Sequence, residues 1–251
     1  MRYKKQKNYW QQDIQLNEYL LALFQGGSLI IIVSYLFYGT FLGAILLSPY
    51  LFRYIKSWEK QVIKKKKRIF QLQFKELISS LEVALSVGYS MENAMREAIK
   101  ELKKFYKGEE LILKELEYMI RQQQLNIPIE TVWQEFAKRT KEEHVQTFST
   151  AFVMAKRSGG DTLEIIRNVV RQMCEKIDVE RDIDTLMAAK KMEFRIMSAI
   201  PFGMILYLRI SFPDLLRVLY GNTVGMLIMS ICLGIYVLAY EFGKRIVEIE
   251  V

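Results

Sequence analysis

The sequence predicts an all-α protein: a multi-span membrane protein with a cytoplasmic antiparallel helical bundle of about six helices. Three observations carry this reading. Hydrophobic residues make up 51% of the chain but bunch at its two ends, while most of the charge lies between them, the pattern of membrane segments around a polar module. Across the middle, apolar residues recur at spacings of three and four, and no segment alternates at period two. Glycine, proline and capping residues interrupt that pattern often enough to make successive helices antiparallel neighbours.

Taken in order, residues 1–18 are a polar, basic N-terminus, expected on the cytoplasmic side, with Arg2, Lys4, Lys5 and Lys7. No cleavable signal peptide is expected, because the first apolar run is too long and lacks a small-residue cleavage pattern. Residues 19–52 carry no charge. As one helix they would reach about 51 Å, well past a hydrocarbon core of about 30 Å. Two arrangements fit: a surface helix ending at Gly26-Gly27 followed by one span, or a membrane hairpin turning near Tyr38-Gly39-Thr40. The positive-inside rule favours the hairpin. Residues 53–68 then form a basic juxtamembrane segment, with eight Lys and Arg against Glu59.

Residues 69–195 hold 20 basic and 21 acidic side chains and form the predicted cytoplasmic domain. Phe70, Phe74, Leu77, Ile78, Leu81 and Leu85 make the first helical face. Gly88 ends that helix, and Ser90 caps a second whose face is Ala94, Met95, Ala98, Ile99, Leu102 and Phe105. A third helix, from about residue 109 to 124, uses Leu113, Leu116, Met119 and Ile120. Asn126-Ile127-Pro128 breaks it, since proline disfavours the helical region for the residue before it. A short fourth helix carries Val132, Phe136 and Ala137. The fifth carries Phe148, Ala151, Phe152 and Ala155 and closes at Gly159-Gly160, and Asp161 or Thr162 caps the sixth, with Ile166, Val169, Val170, Met173 and Ile177.

Residues 196–242 are read as a pair of membrane helices. The first contains Pro201, expected to kink it, and Arg209, expected to snorkel outward. Pro213-Asp214 marks a short external connection, and residues 218–240 are uncharged. Residues 243–251 form a tail with Lys244 and Arg245, so both termini are expected on the cytoplasmic side.

The net charge of +8 follows from the 53–68 cluster and not from the near-neutral domain. No helix-turn-helix, finger or aromatic-interleaved pattern accompanies Lys64-Lys65-Lys66-Lys67-Arg68, so no nucleic-acid partner is expected. The run signals topology, and it also suits anionic membrane lipid or an acidic protein surface. Cys174 and Cys232 fall in different environments and suggest no disulfide. His144 is the only histidine. Beside Glu142 and Glu143 it does not make a metal site, because three adjacent helical residues do not share a face, and a solvated helix start is expected there. Gly88, Gly159 and Gly160 read as turn chemistry, since no phosphate-loop lysine follows. Glu175, Lys176, Asp178, Glu180, Arg181, Asp182 and Asp184 read as a solvated mixed-charge face. No catalytic, cofactor-binding or metal residues emerge.

Four segments in order resemble the type II secretion system F-domain family: Leu81-Glu82-Val83-Ala84-Leu85-Ser86-Val87-Gly88-Tyr89-Ser90 with Asn93-Ala94, then Asn126-Ile127-Pro128-Ile129, then 152–160 with its Lys-Arg-Ser-Gly-Gly, then 197–202 with Ile200-Pro201. The likeness is greatest to the single-domain platform proteins of Flp or tight-adherence pilus assembly. It implies a non-enzymatic platform of the cytoplasmic membrane that couples a hexameric secretion ATPase to insertion of pilin subunits into a filament. With one F domain in this chain, it also implies a homo-oligomer or a paired platform protein. The resemblance supplies no catalytic residues. A membrane-anchored signalling or scaffold bundle unrelated to pili is the alternative. A channel or carrier lacks paired ionisable groups within the spans, and a hydrolase lacks its signature motifs.

Overall fold

The computed structural model describes residues 9–11, 16–40, 43–106, 110–158, 162–220 and 222–247. Among them are nine α-helices, one short 3-10 turn and no strand, so the all-α prediction holds. The helices are α1 (Leu16–Tyr38), α2 (Gly43–Ser86), α3 (Met91–Phe105), α4 (Leu111–Gln124), α5 (Ile129–Thr140), α6 (Glu143–Ser158), α7 (Thr162–Ser211), α8 (Pro213–Tyr220) and α9 (Thr223–Val247). The 3-10 turn is Tyr9–Gln11. The chain divides into two compact units: Met1–Asp13 with Val62–Val179, and Ile14–Gln61 with Glu180–Val251. Helices α2 and α7 supply residues to both.

The first unit takes in the predicted helices between Phe70 and Val179, while residues 180–195, expected in the same domain, fall in the second. Its core follows the apolar periodicity: Phe70, Phe74, Leu77, Ile78 and Leu81 of α2 are 0–1% exposed. They meet Met95 and Leu102 of α3, Leu113 and Leu116 of α4, Trp133 and Phe136 of α5, and Phe148 of α6 in one cluster. Aromatic rings thread it, with Trp133 4.7 Å from Phe148 and Phe74 6.1 Å from Phe148 between centroids, geometry that adds to simple area burial.

The turns behave as their residues require. Gly88 adopts φ +97 and Tyr89 N–H returns to the Ala84 carbonyl, closing α2. The Ser90 side chain accepts from Asn93 N–H and opens α3. Asn126 takes φ 58, and Ile127 N–H reaches the Gln122 carbonyl, before Pro128 precedes α5. Lys141 takes φ 51 between α5 and α6. Phe105 departs from expectation. It is the last residue of α3 and 75% exposed, because the helix ends there and the chain leaves the face that Leu102 completes.

The second unit pairs apolar helices in definite registers. Tyr19 of α1 packs edge-on to Trp58 of α2 at 5.4 Å. A Cβ at Gly26 would lie 2.8 Å from Tyr54 Cδ1 and 2.9 Å from Leu51 Cδ1. One at Gly43 would lie 2.8 Å from Ser34 Oγ. Each step forward in α1 is therefore matched by a step back in α2, an antiparallel hairpin whose turn carries Gly39 at φ +67. Helix α9 runs alongside the same stretch of α2, with Arg53 3.1 Å from Glu241 and Lys244 Nζ donating to Ser57 at 2.6 Å. It runs antiparallel to α7, where Phe194 stacks on Tyr240 and Tyr236 OH donates to the Ser198 carbonyl.

Among the described residues, three helices are long and apolar enough to cross a membrane: α1, α7 over Leu163–Ser211, and α9. Helix α7 continues through Pro201 without a break. The expected connection at Pro213-Asp214 is itself helix α8, since proline at a first helical position and an acid in the first turn both favour helix initiation.

Candidate interaction surfaces

The basic stretch lies on α2. Lys56 and Lys60 are one helical turn apart and exposed, a cationic pair suited to phosphate or carboxylate partners. Lys67 has a different role. Its ammonium lies 3.7 Å from the Glu142 carboxylate and 5.6 Å from the centroid of the Trp10 ring, so part of the run is built into the bundle.

Of the expected solvated helix start, Glu143 is exposed, but Glu142 and His144 are not. Glu142 and His144 are each 4% exposed. The left-handed turn at Lys141 brings Glu142 to face α2, where Gln71 Nε2 donates to its Oε1 at 2.7 Å. Its Oε2 makes no hydrogen bond and relies on Lys67. Glu143 points the other way and pairs with Lys176 of α7 at 2.7 Å, which holds its carboxyl below the usual carboxylate range. Among the described residues no three His, Cys, Asp or Glu side chains gather as a metal site.

The mixed-charge face of α7 is solvated, with none of its charges buried, and it also forms ion pairs to neighbouring helices. Asp178 receives Lys75 of α2 at 2.5 Å, Lys176 pairs with Glu143, and Arg167 lies 3.4 Å from Glu82. Glu175, Arg181 and Asp182 stay exposed. The helical spacing that places one charge outward brings its neighbours against α2 and α6, which a one-dimensional charge pattern does not separate. Ion pairs elsewhere in the bundle also hold Glu117 and Glu130 below their usual range, through Lys103 and Lys156 respectively.

Of the predicted glycine turns, Gly88 is described, while Gly159, Gly160 and Asp161 lie outside the described residues. Cys174 and Cys232 are free thiols. Arg209 is held within the protein: its guanidinium sits 3.8 Å from the Tyr35 ring centroid and donates to the Tyr35 carbonyl. Tyr220 OH donates to the Leu36 carbonyl. The Leu36 carbonyl of the last turn of α1 thus gains a partner from outside the helix, and the Tyr35 carbonyl, which also accepts from Gly39 N–H, places a cation at the negative end of the helix dipole.

Sequence reasoning missed Trp10. It is 6% exposed, and its indole N–H donates to the Thr140 carbonyl at 3.0 Å. Its ring meets Phe70 edge-on at 5.2 Å, and Tyr9 packs edge-on against it at 5.1 Å. The available signal was an adjacent aromatic pair in an otherwise polar leader. Trp133 is fully buried with no acceptor for its indole N–H among the described residues.

A family model described as "Type II secretion system (T2SS), protein F" matches residues 77–208, slightly more than half of the chain. No curated protein and no solved structure matches. The matched stretch begins in the core face of α2, takes in α3 to α6 and ends within the apolar part of α7.

Proposed function

The chain belongs to the type II secretion system protein F family, and on that premise we propose that it is the non-enzymatic platform of a Flp-type pilus assembly machine. It is thus a platform-type protein of the secretion and type IV pilus class. In the proposed role it sits in the cytoplasmic membrane as a multi-pass protein with both termini inside. Its bundle receives a cytoplasmic secretion ATPase, and its apolar helices act on pilin subunits held in the bilayer. A second copy or a paired platform protein completes the assembly.

The observation that supports this reading is the extent of the family match, which covers the bundle and runs on into the apolar part of α7. A helix that begins among buried bundle residues such as Ile166 and Met173 and ends in lipid-compatible sequence is a physical link between ATPase contact and bilayer. The exposed Glu175, Arg181 and Asp182 are candidates for docking specificity, since charges at an interface set partner choice and on-rate more than affinity.

The test is capture of a secretion ATPase from the same organism by the full-length protein in detergent, with ATP turnover recorded. Specific capture that falls when Arg181 and Asp182 are charge-reversed is expected. Full capture and normal piliation by the charge-reversed variant would remove that face from the docking surface, and no capture by the wild-type protein would remove the ATPase as a direct partner.

A further inference from the structure

The bundle carries a seat for the chain's own N-terminal segment. Trp10 fills it, bounded by Phe70 and Lys67 of α2 and the Thr140 carbonyl at the end of α5. All of these belong to the first unit, which also claims Met1–Asp13. A buried indole with its one donor satisfied, an edge-on ring partner and a cation over its face is a specific fit. An exposed leader has no physical reason to place its tryptophan there. Since the bundle helices are densely charged, with 20 basic and 21 acidic groups over residues 69–195, and stay in water, a leader seated on them stays on the same side of any membrane.

From this we infer that Tyr9–Gln11 is a docked strap that makes α1 and the start of α2 an obligate there-and-back pair, so that residues 43–58 form a fourth membrane limb. The inference rests on the proposed reading of α1 as a span. Between the strap and Val62, where α2 joins the first unit, the number of crossings has to be even. If α1 crosses outward, something returns, and the only chain available is the beginning of α2.

The hairpin register supplies the second, independent support. Contacts at Tyr19 with Trp58, Gly26 with Leu51, and Gly43 with Ser34 lay residues 43–58, about 24 Å of helix, along the same depth of α1. Composition shows this limb only as far as residue 52, because Arg53 and Lys56 interrupt it, and it is absent from the three helices apolar and long enough to span. In the observed register Arg53 lies level with Phe24, about 7 Å from the Tyr19 end of α1, within reach of the inner interface for a long basic side chain. It meets Glu241 at 3.1 Å, a carboxylate at the corresponding end of α9.

Cysteine accessibility in intact cells tests the proposal, in the full chain with Cys174 and Cys232 replaced by alanine. Lys4→Cys, Thr40→Cys and Lys104→Cys are compared with a membrane-impermeant maleimide before and after permeabilisation. The expected result is Thr40→Cys labelled in intact cells, and Lys4→Cys and Lys104→Cys labelled at least tenfold more after permeabilisation. Labelling of Lys4→Cys from outside, with Lys104→Cys protected, overturns the strap while leaving α1 as a span. Protection of all three in intact cells overturns the returning limb together with the reading of α1 as a span.

Discussion

Replacing Trp10 by alanine removes a set of contacts whose sizes can be summed from the structure. The side chain is 6% exposed, and burying a large apolar group contributes about 1.5–3 kcal/mol. The hydrogen bond to the Thr140 carbonyl adds about 1 kcal/mol. The edge-on contacts with Phe70 and Tyr9 and the cation of Lys67 add about 0.5–1 kcal/mol each. These terms overlap, and the segment can undock and rehydrate, so a loss of about 3 kcal/mol is expected, at the low end for buried tryptophan. Trp10→Phe keeps the ring contacts and loses the donor, for about 1–2 kcal/mol. Hydrogen exchange of the full-length protein in detergent, followed by mass spectrometry, reads these losses locally. With a factor of ten for each 1.4 kcal/mol, exchange at the α5–α6 junction should rise about a hundredfold in Trp10→Ala and about tenfold in Trp10→Phe. Helices α3 and α4 should be unaffected, because opening of a docked segment is a local event. A uniform rise through α3 and α4 would refute the strap argument, since Trp10 would then be part of the cooperative core. No rise at the junction would refute it too, by showing that the seat holds nothing.

Trp133→Phe should cost little, because loss of volume is offset by removing an indole N–H without an acceptor, whereas Trp133→Ala should lose about 3–5 kcal/mol; equal losses in thermal melts of the two variants would show that the N–H is satisfied. Gly26→Leu should lower the melting temperature in detergent, since its Cβ meets Leu51 and Tyr54, by an overpacking cost of about 1–3 kcal/mol, while Gly27→Leu, with nothing within 4 Å, should leave it nearly unchanged. Burial and the hydrogen bond to Glu76 push the Tyr106 hydroxyl up to about 12 from an ordinary 10.0. A raised pKa favours the folded protein below the unfolded value, so this stabilisation should be complete below pH 10 and lost as pH climbs toward 12. Alkaline unfolding should lose that step in Tyr106→Phe. The lowered carboxyls of Glu117, Glu130 and Glu143 carry the opposite sign: their contribution is present above pH 4.5 and lost as pH falls further, and because all three are solvent-screened it should shrink in high salt.

The bundle was largely legible because its signals are local. Apolar spacing placed Phe70 to Leu81 on one face, and Gly88, Ser90 and Asn126 each did in three dimensions what their backbone and side-chain chemistry favours. The candidate surfaces were less legible. Glu142 and His144 are polar residues at a helix start, and polarity alone predicts exposure; only the path of the chain at Lys141 brings them against α2. The charges of α7 looked uniform, yet Asp178 and Lys176 pair across helix contacts that have no sequence signature. Arg209 looked like a snorkelling cation, and whether such a group meets solvent or a helix terminus depends on what packs beside it.

What the sequence by itself determined was the class, the order of helices, the apolar ends and the family, because hydrophobic periodicity, turn chemistry and charge distribution act over a few residues and survive in any arrangement of the chain. Only the tertiary structure decided that Trp10 docks against the bundle at Thr140 and Phe70, that α2 retraces α1 in register despite Arg53 and Lys56, and that a buried carboxylate depends on Lys67. Each of these is a meeting of residues far apart in the chain, where burial and pairing follow from which surfaces come together, and no local pattern encodes that.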